Sequence, residues 1–277
     1  DVKEYTRLEE WDGSHDLYGR NLQSLEVPGH RDQVDIILRK DQDLDRIAVG
    51  PRGPGPMTDK EAHDLVGDHH PIRCGCREEP PMDGSKFRML TSGSSPVKTN
   101  HQCRIRDQFR FPGIGEVRSA HAEFRRHALD ALAAACDIDG AHRLMFIAFM
   151  DWFLNVCRPR PDENWVQKCG MFGFSTAGPH FTRFYAGLQR TEYRLMEGFG
   201  VWLYLWLFTF VDDTKYLWNK AFGWMPFVAL MFYKTLFGPI VKWKKLNWGS
   251  RFVWIGFQFN TDAFMSGIPS VKITRLS

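Results

Sequence analysis

GFGVWLYLWLFTFVDD, residues 198–213, sets fourteen uncharged residues in front of two aspartates. A bilayer-spanning helix needs about 20 apolar residues, and this run stops short at Asp212 and Asp213. It is aromatic, short and continuous rather than periodic at 3.6 residues, which predicts a strand buried on both faces. Thr214-Lys215-Tyr216-Leu217-Trp218 follows at once, so the local expectation is a hairpin with two acids at its tip. The next apolar stretch, Ala221–Tyr233, is also short, contains Pro226 and is bounded by Lys220 and Lys234. A membrane protein built on residues 198–240 is therefore the minor alternative, and no membrane partner is expected.

Two adjacent carboxylates repel, and burial beside aromatics raises their pKa values unless a cation neutralises them. Hard oxygen ligands of this kind suit Mg²⁺, which keeps several waters and binds through one or two carboxylates plus substrate phosphates. A plain polar turn is the better explanation of Asp-Asp when the pair is taken alone. Asp137, in ACDIDGAHRL at the end of another apolar stretch, adds a third acid. If its strand neighbours the hairpin, three carboxylates converge at one sheet edge, as a two-metal nucleotidyl transfer site requires.

The 277 residues (32.2 kDa) suffice for one large domain or two modest ones. Hydrophobic residues at 43% and charged residues at 25% exclude a disordered or fibrous chain. The 22 Phe, 10 Trp and 7 Tyr need a large core, a partner or a flat ligand to cover them. The net charge of +3 is unevenly placed: residues 214–277 hold nine Lys or Arg against Asp262 alone, +8 there and −5 before it. Such a basic end suits a polyanion or an anionic membrane surface, or is simply a solvated face. The polar opening, Asp1–Arg20, reads as neither secretory signal nor transit peptide, and the chain is expected to be a fragment. Six cysteines without a repeated framework fit a reducing, intracellular setting, cytoplasmic or nuclear.

Residues 1–56 read as an extension or linker ending in the breaker-rich PRGPGP. Thr58 with Glu61 three residues on predicts a capped helix. Lys86–Leu90 is a strand candidate. Residues 116–135 are Ala-rich, and Phe124, Leu129 and Leu132 share one helical face. Strands are expected at Ala135–Ile138 and Leu144–Phe149, and a helix at Ala177–Met196, where Phe181, Phe184, Leu188 and Leu195 recur at helical spacing. Phe252–Phe259 reads as strand. The order is mixed α and β without an internal repeat.

Several stretches resemble motifs of reverse transcriptases. Phe210-Val211-Asp212-Asp213 resembles the family's YVDD/FVDD-type box, and its neighbours fall in the family's order. Lys86-Phe87-Arg88 followed by Asn100 resembles the fingers motif, and Asp137-Ile138-Asp139-Gly140-Ala141-His142-Arg143 the first carboxylate box. Phe172–Pro179, FGFSTAGP, with Phe181 and Arg183 after it, resembles the box that opens the palm helix. Lys242–Lys245 and Trp248–Phe259 resemble the lysine box and the primer-grip hairpin. The likeness covers roughly residues 57–260 and is nearest the retroelement enzymes of protists and algae, the DIRS type or its relatives.

That resemblance implies an α+β right-hand polymerase: an antiparallel palm sheet backed by helices, with the thumb mostly absent. Its parts would be an extension (1–56), fingers and entry to the palm (57–136), a palm with carboxylates and primer-grip-like hairpin (137–260), and a thumb start or tail (261–277). It implies an RNA-directed DNA polymerase, a nucleotidyltransferase working on an RNA or DNA template with primer and dNTPs. Asp137, Asp212 and Asp213 would be catalytic residues and ligands of two Mg²⁺ ions, with Mn²⁺ as substitute. Lys86, Arg88, His142, Gly173 and Lys245 would bind the nucleotide, His142 standing where the sugar 2′-hydroxyl is gated. Lys242, Lys244, Trp248 and Trp254 would contact primer or template. His142 replaces the usual aromatic gate, Thr91 stands near a usual Asp, and Gly178 interrupts the Ala-Pro pair. These departures define the alternative of a catalytically inactive nucleic-acid-binding remnant of the same fold.

Other constellations are weaker. His69-His70 with Cys74 and Cys76 departs from common zinc spacings and reads as ordinary loop. Asp151 is followed by Asn155 and Val156, so Asp137 fits the carboxylate box better. Asp162-Glu163 reads as a solvated turn.

Overall fold

The computed structural model describes residues 23–69, 71–79, 86–94, 100, 110–201, 204–255 and 257–267. The chain divides into two compact units, one of Asp1–Gln108 with His142–His180, the other of Phe109–Ala141 with Phe181–Ser277.

In the first unit, α1 (His30–Asp43) turns Val34 and Leu38 inward. They pack with Ile47, Ile72, Cys74, Cys157, Trp165 and Met171. This helix lies where the sequence reads as an irregular extension, because only two of its fourteen side chains are buried aliphatics and the apolar stripe is faint. Its buried Gln42 compensates: the side-chain amide donates to the Ala48 carbonyl at 2.9 Å and accepts from the Gly55 amide at 2.7 Å. Helix α2 (Asp59–Val66) starts on the expected capping box, with Thr58 Oγ1 accepting from the Glu61 amide and the Glu61 carboxylate accepting from the Thr58 amide. Strands β1 (Arg73–Glu79) and β2 (Lys86–Ser92) form an antiparallel pair in full register, Arg73 opposite Ser92 and Glu79 opposite Lys86. His70 and Cys103 lie outside the described residues.

The second unit is built on a four-stranded antiparallel sheet. Helix α3 spans Ile114–Arg126 and ends well before the expected residue 135, and β3 begins soon after it, Ala131–Asp137. Leu129 and Leu132 therefore leave the helix; an Ala-rich strand carries no β-branched signal, and pairing on both sides overrides its helical propensity. The strand expected at Leu144–Phe149 is instead a 3₁₀ turn at Ala141–Leu144, one isolated bridge from Phe146 to Cys169, and a second 3₁₀ turn, Phe149–Leu154. A hairpin of β4 (Val156–Arg160) and β5 (Glu163–Val166) comes next, with the Asp162-Glu163 turn at its tip. Helix α4 (Ala177–Gly198) matches its expectation.

From the apolar run comes β6 (Leu205–Phe210), paired through a two-residue turn to β7 (Asp213–Asn219). It is the edge strand of the sheet, with Leu205 and Phe208 buried and Phe210 exposed, so it is not the strand buried on both faces that its continuous apolar character predicts. The segment 221–233 becomes α5, Met225–Leu236, with Pro226 in its first turn where its missing N–H costs nothing. Strands β8 (Asn247–Trp248), β9 (Arg251–Trp254), β10 (Phe257–Asn260) and β11 (Met265–Gly267) complete the unit. The sheet order is β6-β7-β3-β8. Strand alternation gives the sheet two distinct faces. One packs Ala133, Ala135, Phe208 and Leu217 under α3 and the β9–β10 hairpin. The other sets Tyr216 and Trp218 against Phe227 of α5, and Thr214 against Tyr185 of α4. Among the described residues, no helix is long and apolar enough to cross a membrane.

Candidate active site

The acids meet because β3 and β7 are neighbours: Asp137, last residue of β3, stands directly opposite Asp213, first residue of β7. Val211 and Asp212 form the turn between β6 and β7. Val211 takes φ 56°, the left-handed region a β-branched residue rarely adopts, at a cost on the order of 1–3 kcal/mol. The turn is tied to β3 by the Ile138 amide, which donates to the Asp212 carbonyl at 3.2 Å.

A second segment closes on the same end of β3. The Asp139 amide donates to Ile240 O at 2.6 Å, Ile138 bridges Val241, and the Lys242 amide donates to Asp137 O at 2.9 Å. These bonds deliver two lysines. Lys242 Nζ lies 3.0 and 3.1 Å from the two Asp137 oxygens and 3.1 Å from Ile138 O, and Lys245 Nζ lies 2.6 Å from Asp137 Oδ2. Lys244 belongs to the same 3₁₀ turn and is exposed to solvent.

The electrostatics divide the three acids. Burial alone would raise the Asp137 carboxyl, but hydrogen bonds from Lys245 and Lys242 outweigh it and hold the group below the usual range. Asp212 is raised, first by burial and then by the charge of Asp137. Asp213 is pushed up to about 6 by burial and by the charges of Asp137 and Asp212. Burial and mutual repulsion at these two carboxylates are thus only partly offset by Lys242 and Lys245, the condition a bound cation relieves.

The donors are hard carboxylate oxygens, so the residues fit Mg²⁺ by chemistry. As the side chains stand, no group of three His, Cys, Asp or Glu among the described residues is arranged around a common metal position, and the ammonium groups on Asp137 take the place a cation would fill.

The remaining sequence-predicted residues fall in two places. Trp248 and Trp254 share the second unit with the acids. Trp248, opposite Ala134 on β8, is 57% exposed. Trp254 is 3% exposed and packs on Phe208 and Phe259, so its ring is core and is not available to primer or template. Lys86, Arg88, His142 and Gly173 lie in the first unit. Lys86 and Arg88 are on β2, where Arg88 pairs with Glu79 at 2.7 Å. His142 meets the Phe172 ring edge-on at 5.1 Å.

Gly173 has φ 94°, and a Cβ there would collide with the Thr91 carbonyl. Asn100 secures the same turn by donating to Gly173 O at 2.6 Å and accepting from the Ser175 amide at 2.8 Å. The close approach that demands glycine is thus backbone to backbone within the fold. Sequence reasoning misses the hydroxyl chain behind the acidic turn, Tyr185, Thr214 and Thr209. Its only sequence signal is the i+4 spacing from Phe181 to Tyr185 and the threonine next to Asp213.

No protein-family model matches the chain, and no curated protein matches it. Among solved structures it is similar to the foamy viral protease-reverse transcriptase dRH in complex with double-stranded DNA, with a TM-score of 0.66 and 12% sequence identity. The likeness covers 90% of this chain and 37% of that one, so the chain spans little more than a third of that protein's length. At this identity the likeness is one of fold: the chain has a reverse-transcriptase-like α+β fold.

Proposed function

We propose that the chain is the fingers and palm of a retroelement reverse transcriptase, adding deoxynucleotides to a primer 3′ end on an RNA or DNA template. The observation that carries this reading is the meeting of Asp137, Asp212 and Asp213 at the adjoining ends of β3 and β7 in a fold of that kind. Asp137, Asp212 and Asp213 would hold Mg²⁺, which supplies a lowered pKa for the attacking hydroxyl and neutralises charge on the departing pyrophosphate. Asp137 would exchange its lysine partners for that charge. Lys242 and Lys245, once released, stand beside the carboxylates as cations for a triphosphate. Arg88, Lys86 and His142 are assigned to the incoming nucleotide by their motifs. Trp248 and Lys244, both exposed, are assigned to primer or template, with stacking and phosphate contact as the physical means.

The test is primer extension on an RNA template with Mg²⁺ and four dNTPs, beside Asp212→Asn/Asp213→Asn. Extension that falls by about 10²-fold or more in the double variant supports the reading. A folded wild-type protein that binds primer-template without extending it would instead favour the inactive binding remnant. That second reading draws on one observation, the two lysines seated on Asp137.

A further inference from the structure

The face of the sheet opposite Asp213 carries a run of buried polar groups with no role in the chemistry above. Lys234 of α5 and Glu192 of α4 are both fully buried, with Nζ 2.7 Å from Glu192 Oε1. Lys234 also donates to the Tyr185 hydroxyl at 2.6 Å. Tyr185 lies 2.9 Å from Thr214 Oγ1, and Thr214 Oγ1 lies 2.9 Å from Thr209 Oγ1. Gln189 donates to Thr209 and completes the chain.

An ammonium can only donate, so the Tyr185 oxygen accepts from Lys234, and it shares a further hydrogen bond with the Thr214 hydroxyl in which either oxygen can donate. Burial holds that phenol far above its ordinary pKa, so the proton stays on. Thr209 and Thr214 are cross-strand partners, one residue outside the Phe210–Asp213 pair that closes the acidic turn. Both strands of the hairpin are therefore pinned at the residues adjoining the turn.

Such a pin has a specific task here. Val211 sits in a left-handed conformation that the turn relaxes out of unless its surroundings over-determine it. A fully buried Lys–Glu pair is also a poor device for stability alone, since apolar groups of the same volume serve as well or better. From these observations we infer that Lys234, Tyr185 and Thr214 are positioning residues: through the Thr214 hydroxyl they fix the turn that aims Asp212 and Asp213 at a divalent cation. This inference rests on the polymerase reading and extends it to side chains that touch neither nucleotide nor metal.

The test reads cation affinity rather than turnover. Mn²⁺ binding is followed by calorimetry and by its electron spin resonance signal on the full chain with primer-template. Wild type is compared with Tyr185→Phe, Thr214→Val, Thr214→Ser and the Tyr185→Phe/Thr214→Val pair. Each variant is checked for fold by circular dichroism. Outer-shell partners typically change metal affinity by about 10–100-fold. We expect Tyr185→Phe and Thr214→Val each to weaken Mn²⁺ by about tenfold, the pair to weaken it no further than either alone, and Thr214→Ser, which keeps the hydroxyl, to bind as wild type does. Folded variants with unchanged Mn²⁺ affinity, or losses that multiply in the pair, overturn the inference and leave the polymerase reading standing. Wild-type protein that binds no Mn²⁺ overturns both.

Discussion

At the residue scale, the protein spends stability on charges placed in poor surroundings. Lys215 follows Asp213 by two and lies on the same face of β7, under the β9–β10 hairpin, with its Nζ 3.5 Å from the centre of the Phe259 ring. It is fully buried, its Nζ has no hydrogen-bond partner, and burial lowers its pKa to about 7. The unfolded chain then holds a proton that the folded chain releases between pH 7 and the lysine's ordinary value of 10.5. Stability rises with pH across that window, and the full penalty, on the order of 5 kcal/mol before the ring contacts offset part of it, applies below pH 7. Lys215→Met should therefore raise the urea midpoint strongly at pH 6 and much less near pH 10. Equal gains at both pH values would contradict this account.

Asp213 works with the opposite sign of charge and the same logic. Its carboxyl is raised to about 6, so the folded state keeps a proton that the unfolded state has lost, and stability falls as pH rises from about 4 to 6. Without a divalent cation, Asp213→Asn is expected to melt higher than wild type at pH 8 and to differ little at pH 4. Thermal melts in a chelator decide this, and a lower melting temperature at pH 8 would count against it.

At the scale of elements, the helix α2 is held by its first turn, and Thr58→Ala removes the hydroxyl that accepts from the Glu61 amide. A loss of about 1 kcal/mol is expected in denaturant unfolding, with Thr58→Ser close to wild type. That element is legible in the sequence because a capping box is a purely local signal. So is the β6–β7 hairpin, whose aromatic run admits no amphipathic helix and ends in two acids. The neighbourhood of Asp137 and Asp213 is legible only as a condition, since nothing within Ala131–Asp137 names its partner strand. Intrinsic propensity favours helix through residue 135 of the Ala-rich stretch, yet the helix stops at Arg126 because β7 and β8 pair with Ala131–Asp137. Trp254 shows the same limit in the site. Its motif assigns it to primer or template, but alternation along β9 turns it inward.

At the scale of the whole chain, the uneven charge is the property that bears on nucleic acid. Each phosphate neutralised by Lys or Arg releases condensed counterions, so log affinity falls with log salt at roughly 0.9 per phosphate on a duplex. Lys242 and Lys245 are engaged with Asp137 and make poor probes of this effect. Lys244 and Arg251 are exposed, in the 3₁₀ turn and on β9 of the same unit, and neither belongs to the carboxylate cluster. Lys244→Gln and Arg251→Gln should each weaken primer-template binding alike for all sequences and lower the salt slope by about one. Fluorescence anisotropy from low to moderate salt measures both quantities. If the neutral variants weaken binding at one salt concentration but leave the slope unchanged, the loss comes from contacts other than phosphates, and the basic C-terminal end is a solvated face rather than a path for the duplex.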